Sequence, residues 1–296
     1  MKTTIISLVG GQPEPPFHGQ RHLGSHHSDP VGTILVSSQS TTIVAKRILR
    51  ALSITNESNS LWNECPPYDV EAAFAYLNEK NASLGSGHEI VWDITGGTKP
   101  MVLAATMIAQ STDATMAYLE SELGTCYIYR YGFQRNSSDI RKIDKQECCS
   151  QLTLDLYFTL HGHDVKERTS KQDNQGKQYE DLIEAQLKKI AGIEFRRGVA
   201  KGNLDIDFVV RRGNQVAVIE AKSGGGSKKG IDQLNTASQR DRFGTYIKKG
   251  LIHGQSLDQN NVDLAEASSI RACLLEPGES APSSIVKDFI NSKLFQ

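Results

Sequence analysis

The chain has 296 residues, 38% apolar and 23% charged, with 25 Gly and 9 Pro. At the usual ~100–200 residues per domain this is about two ordinary globular domains, which excludes a mini-protein scaffold, a collagen, a coiled coil and a disordered chain. The net charge of −1 hides a split: residues 1–150 carry 12 basic against 15 acidic side chains and residues 151–296 carry 21 against 19, so the second half is the better suited to a nucleic acid. Five cysteines without a C-x-x-C pair, behind an N-terminal apolar run too short for a secretory signal, lead us to expect a reducing cytoplasm. No apolar run approaches the ~20 residues of a membrane helix, so a soluble chain without a membrane partner is expected.

In chain order, the apolar runs TTIISLV, GTILVSS, HEIVWDI, ATMAYLE and TCYIYRY predict strands. Between them TTIVAKRILRALS, DVEAAFAYLNEK and KPMVLAATMIAQ space their apolar residues as helices do. Such alternation predicts an α/β fold with a parallel, Rossmann-like sheet. The polar stretch 132–150 reads as a boundary, and LTLDLYFTLHGH as a short helix or strand leading onward. After a polar loop, YEDLIEAQLKKIAG predicts a helix closed by Gly192, followed by the strands IEFRRGVA, LDIDFVVRR and QVAVIEAKS, the last two joined by a hairpin turn. Helices around GIDQLNTASQR and SSIVKDFINSKLF complete this second α/β domain. The expected division is 1–140, a linker 141–165, and 166–296.

Two sites stand out. In the first, an apolar strand runs through Thr95, Gly96, Gly97, Thr98 and Lys99 straight into a helix. Glycines that admit a close backbone approach, free amides at a helix N-terminus and a lysine suit an anionic ligand, although the same glycines would also serve a plain strand-to-helix turn. The loops Gly10–Pro13 and Ser37–Thr41 follow two other strands and belong at the same sheet edge, where open α/β sheets bind ligands.

Residues 1 to about 130 thereby resemble a CARF domain, the CRISPR-associated Rossmann fold. The resemblance implies a homodimer that binds a cyclic oligoadenylate, foremost cyclic tetra-adenylate. Thr95, Gly96, Gly97, Thr98 and Lys99 would touch its phosphates and riboses, and Gln12, Ser38 and Gln39 would line the rest.

In the second site Asp207 lies on one strand and Glu220 and Lys222 on the next, and period-2 alternation puts Glu220 and Lys222 on one face. Carboxylates that hold Mg²⁺ or Mn²⁺, with a lysine beside them, are what phosphodiester hydrolysis needs. Glu180 opens the preceding helix, and the order helix Glu, strand Asp, then E-x-K resembles the PD-(D/E)XK restriction-like nucleases over about 165–255. By that resemblance Asp207, Glu220 and the Ala221 carbonyl hold the metal, Lys222 aligns a water, and Glu180 holds the metal or its water. Asp205 reads equally as an outer carboxylate or a solvated strand residue, and Gln233 as an outer partner or a solvent-facing helix residue. Lys228, Lys229, Arg240, Arg242, Lys248 and Lys249 either line a phosphate path or decorate exposed elements.

Together the halves resemble the CRISPR ancillary nucleases that join a CARF sensor to a PD-(D/E)XK domain. This implies a metal-dependent endonuclease of DNA, RNA or both, activated by cyclic oligoadenylate in type III CRISPR antiviral defence. The alternatives are a ligand-independent restriction or repair endonuclease and a non-catalytic nucleic-acid-binding regulator. His18, His22, His26 and His27, among Gly, Pro and Ser, read as a mobile polar loop; Gly224–Gly226 read as a flexible loop with no helix start behind it; and Cys148 and Cys149 read as free thiols.

Overall fold

The structure, a computed structural model, describes residues 2–26, 31–85, 87–122, 125–133, 139–149, 151–163, 175–201, 204–239, 242–244 and 246–295. The chain divides into two units, Met1–Gln151 and Leu152–Gln296.

The first unit contains β1 (Lys2–Leu8), α1 (Glu14–Ser25), β2 (Gly32–Val36), α2 (Thr42–Ala51), α3 (Glu57–Ser60), β3 (Leu61–Trp62), α4 (Val70–Ala82), β4 (His88–Asp93), α5 (Lys99–Thr112), β5 (Thr115–Glu122), β6 (Thr125–Phe133) and β7 (Ile140–Glu147). Its seven-stranded sheet has the order β3-β2-β1-β4-β5-β6-β7. β3, β2, β1, β4 and β5 pair in parallel, and β6 and β7 add antiparallel at one edge. The apolar runs of β1, β2 and β4 are explained by cover on both faces, with Ile6, Leu8, Val36 and Trp92 in one core cluster and Ile5 and Val91 in another.

Two segments of this unit depart from the sequence reading. The histidine segment is helix α1, not a polar loop. Prolines occupy its first turn, where their missing N–H costs nothing, and it buries Phe17, His18, Gln20, His22 and Leu23 against the sheet. Burial, more than the opposing charges of Glu14 and Arg21, lowers the His18 pKa to about 4. The polar stretch after Gly132 holds β7, whose alternating charged side chains suit an edge strand that must resist further pairing.

The second unit contains α6 (Leu154–His161), α7 (Gln175–Leu187), β8 (Ile193–Lys201), β9 (Leu204–Arg212), β10 (Gln215–Lys222), α8 (Ser227–Ala237), β11 (Lys248–His253), α9 (Gln259–Ala267), β12 (Ile270–Leu274) and α10 (Pro282–Phe289) with a closing π-turn, Ile290–Leu294. Its five-stranded sheet runs β12-β11-β10-β9-β8. The β8-β9-β10 part is antiparallel and the β10-β11-β12 part parallel. One face packs Phe208, Val210, Ala217 and Ile219 against α7 and α10 through Tyr179, Ile183, Val286 and Phe289; fully burying a Phe such as Phe208 contributes about 2–3 kcal/mol. The other face is covered by α8, which packs over β9, β10 and β11 and buries Ile231 and Leu234. α8 starts at Ser227, directly behind the three glycines, so a helix start does follow them; Gly226, with φ +106°, makes the turn.

Among the described residues no helix is long and apolar enough to cross a membrane.

Candidate functional site

Parallel pairing of β2, β1 and β4 brings the loops behind them to one sheet edge, side by side. The loops behind β1 and β4 touch through backbone. A Cβ on Gly96 would lie 2.1 Å from the Leu8 carbonyl oxygen, and one on Gly10 would lie 3.3 Å from the Gly97 nitrogen. Gly97 also has φ +79°, a left-handed conformation that glycine adopts without cost. The loop behind β2 joins them where the Thr41 hydroxyl donates to the Val9 carbonyl at 3.2 Å.

Several side chains expected to face a ligand instead build this edge. Thr95 donates through Oγ1 to Asp93 at 2.6 Å and accepts the Leu119 N–H at 2.8 Å. Thr98 caps α5 and donates to the Pro67 carbonyl. Ser38 is buried in a capping box with Thr41. What remains presented is the Gly96–Gly97 backbone, the N-terminus of α5, half-buried Gln12 and exposed Lys99 and Gln39. Amides and a lysine at a helix N-terminus are chemistry suited to an anion.

The sequence reading missed Asp93, which lies beneath this edge and is 1% exposed. It accepts from Ser7 Oγ at 2.8 Å, and Ser7 accepts from Gln20 of α1 at 2.9 Å. Gly19 lets α1 approach, since a Cβ there would meet Asp93 Oδ2 at 2.3 Å. The one signal was an acidic residue inside the otherwise apolar run IVWDI.

Burial pushes the Asp93 carboxyl from 3.8 up to about 6, against the pull of its Thr95 and Ser7 hydrogen bonds. A group that binds its proton more tightly when folded contributes stability that is fully present below about pH 4 and is lost as the pH rises through about 6. Both tryptophans, Trp62 and Trp92, lie in the first unit, so their fluorescence follows its unfolding. That unit is expected to lose on the order of 3 kcal/mol between pH 4 and 7 on account of this group. Asp93→Asn should remove that component; an unchanged pH profile in the variant would assign the slope elsewhere.

In the second unit Ile219 of β10 pairs with Phe208 of β9, so the next residues along, Glu220 and Asp207, stand opposite each other on the α8 face. Glu220 is 1% exposed and Asp207 6%. Asp207 Oδ2 accepts the Ala221 N–H at 2.8 Å, and Lys222 Nζ lies 2.5 Å from Glu220 Oε1, as the two-residue spacing predicts. The other oxygen, Glu220 Oε2, is buried with no hydrogen-bond partner among the described residues. Burial first, then the neighbouring Asp207 charge, hold the Glu220 carboxyl well above the usual range, with Lys222 pulling the other way. Gly230 of α8 sits directly above, where a Cβ would meet Lys222 Cε at 3.3 Å and Glu220 Cγ at 3.4 Å. A divalent cation would relieve the repulsion between the two carboxylates and satisfy the unpartnered oxygen.

Of the other residues singled out, Gln233 donates to the Asp205 carbonyl at 3.2 Å, which ties α8 to β9 beside the carboxylates. Glu180 is bonded by Arg197 of β8, at 3.0 Å through Nη2, and the same guanidinium takes Asp181 and Glu184. Lys228 and Lys229 are exposed on the first turn of α8. Lys248 and Lys249 begin β11, whose parallel register sets Lys248 beside Ala217 and His253 beside Lys222. Lys248 lies about 17 Å and Lys249 about 13 Å along the strand from Lys222, at the other end of β10 from the E-x-K residues. Arg240 and His27 lie outside the described residues.

No protein-family model and no curated protein matches the chain. Solved structures do. The chain is similar to Can2 from Sulfobacillus thermosulfidooxidans, solved in complex with cyclic tetra-adenylate (TM-score 0.71, 13% identity, 99% of each chain covered). It is similar to protein VC1899 from Vibrio cholerae (TM-score 0.73, 12% identity, 99% of this chain and 98% of that one). It also matches a type III CRISPR defence DNA nuclease activated by cyclic oligoadenylate (TM-score 0.53, 13% identity), with 98% of this chain covering 45% of that one. At these identities the likeness establishes the fold: two α/β units in one order, followed from end to end in the first two structures.

Proposed function

We propose that this chain is a metal-dependent nuclease activated by a cyclic oligoadenylate, foremost cyclic tetra-adenylate, in type III CRISPR defence. The observation that carries the reading is the buried Glu220–Asp207 pair beside Lys222, with one Glu220 oxygen unpartnered. Support for the activator comes from the fold shared with Can2, whose structure holds cyclic tetra-adenylate, and from the anion-suited edge of the first unit.

In this reading sensing belongs to the CARF-like residues 1–140 and cutting to the PD-(D/E)XK-like residues 166–296, in a homodimer. Asp207, Glu220 and the Ala221 carbonyl would hold Mn²⁺ or Mg²⁺, which when bound supplies Lewis-acid polarisation of the phosphate and a more acidic water. Lys222, beside Glu220, would align the attacking water and offset charge on the phosphate. Gln233 and Asp205 hold α8 against β9 so that this geometry persists. Glu180, held by Arg197 on the α7 side of the sheet, would reach the metal or its water only from outside the Asp207–Glu220 pair. DNA, RNA or both are the substrate class.

In the first unit the Gly96–Gly97 backbone, the α5 N-terminus and Lys99 bind the activator's phosphates, with Gln12 and Gln39 beside them. Thr95, Thr98 and Ser38 shape the loops that present these groups. Binding raises cleavage only to the extent that the activator favours the competent arrangement over the idle one.

The test is cleavage of supercoiled plasmid and of single-stranded RNA in Mn²⁺, with and without each cyclic oligoadenylate and with EDTA. Cleavage that needs both the metal and a cyclic oligoadenylate is expected; cleavage indifferent to either contradicts the reading. Because Glu180 acts from outside the pair, Glu180→Gln should slow cleavage by roughly tenfold, far less than loss of Glu220. Equal losses in the two variants would move Glu180 into direct contact with the metal.

A further inference from the structure

The histidine segment expected to be a loop presents soft metal donors on one side of α1. His22 and His26 are four residues apart and share a helical face, with ring centroids 4.5 Å apart. Cys149, just beyond β7, meets them: one ligand atom from each of His22, His26 and Cys149 lies within 4.8 Å of the others.

We propose that His22, His26 and Cys149 bind a zinc ion, in a site separate from the Asp207–Glu220 pair. For Zn–N of about 2.0–2.1 Å and Zn–S of about 2.3 Å, a tetrahedral ion sets its nitrogen and sulfur ligands about 3.5 Å apart. The Cys149 Sγ to His22 Nδ1 distance is 3.4 Å. His22 is 1% exposed, and its Nδ1 accepts the Cys149 N–H at 3.2 Å, so that nitrogen is the unprotonated one and zinc would take over the lone pair the amide now holds. His26 and Cys149 are both exposed, which gives the ion an entry path and leaves the fourth position to water. Two imidazoles and a thiolate select zinc over the hard Mn²⁺ or Mg²⁺ of the carboxylate site.

The partners are 127 residues apart in sequence, as His22 and Cys149 show. The ion would fasten α1, which follows the Gly10–Pro13 loop of the ligand-binding edge, to the end of the first unit's last strand. Zinc would therefore raise the unfolding temperature of the first unit.

The test uses the full chain, stripped of metal and titrated with Zn²⁺ and, as a visible probe, Co²⁺. One zinc per chain retained on dialysis is expected, with a thiolate-to-cobalt charge-transfer band and a rise in the tryptophan-detected melting temperature. Cys149→Ser should abolish the band and the rise, and His26→Gln should weaken binding at least tenfold. Both residues are exposed, so the variants should fold. Cys148→Ser, in the neighbouring thiol, should keep the band. No retained zinc and no band in the parent protein, or a band that survives Cys149→Ser, would overturn the proposal.

Discussion

Glu220→Gln is expected to lower metal-dependent cleavage by on the order of a thousandfold while leaving the protein folded and, without metal, as heat-stable as its parent or more so. Glu220 is 1% exposed, opposite Asp207, and its Oε2 has no hydrogen-bond partner among the described residues. A buried pair of like charges costs stability until a cation arrives. Glutamine keeps the volume and removes the repulsion. It also removes a metal ligand, and losing roughly 4 kcal/mol of charge stabilisation in the transition state is about a thousandfold in rate. Cleavage rates, together with melting curves in EDTA, separate the two effects. A variant that still cuts at a tenth of the parent rate, or that fails to fold, would contradict the role assigned to Glu220.

Gly96→Ala is expected to shift the response to cyclic tetra-adenylate to activator concentrations on the order of a hundredfold higher, and to destabilise the first unit by about 2–3 kcal/mol, through strain where the chain has no room. The added Cβ would lie 2.1 Å from the Leu8 carbonyl oxygen, which is main chain of a central strand and cannot turn aside. The loop must move by about 1 Å, enough to break an anion site made of backbone amides and cost on the order of a hundredfold in activator affinity. Metal binding in the second unit should be unchanged. Lys99→Ala tests the same edge without strain, because Lys99 is exposed; activator affinity should fall about tenfold with the melting curve unmoved. A Gly96→Ala variant activated at the parent's activator concentration would show that the ligand does not approach these amides.

The parts of this molecule legible in its sequence are those set by local pattern. Apolar runs marked β1, β2 and β4, and the short turn behind Arg212 fixed the β9–β10 hairpin and with it the pairing of Asp207 with Glu220. The E-x-K spacing fixed the Lys222 contact. What stayed hidden depends on distant partners. α1 carries Pro and Gly, poor helix formers, and forms because its buried residues pack on the sheet. β7 is polar because it is an edge. The positions of Thr95, Thr98 and Ser38 behind their strands place them at the loop edge, but do not reveal that their hydroxyls bond Asp93, Pro67 and Thr41. Lys248 and Lys249 follow the E-x-K strand in sequence, but the parallel pairing of β11 carries them to the far end of the sheet. The grip of Arg197 on Glu180, Asp181 and Glu184 likewise needs β8 and α7 side by side.

The central claim is that one chain joins an activator site to a metal-dependent cutting site, and the initial rate of plasmid cleavage in Mn²⁺ as cyclic tetra-adenylate is titrated tests it most directly. The rate should rise from near zero and saturate at one activator per two chains, and it should stay at zero throughout in Glu220→Gln. A rate that is the same without activator and at saturation would contradict the account.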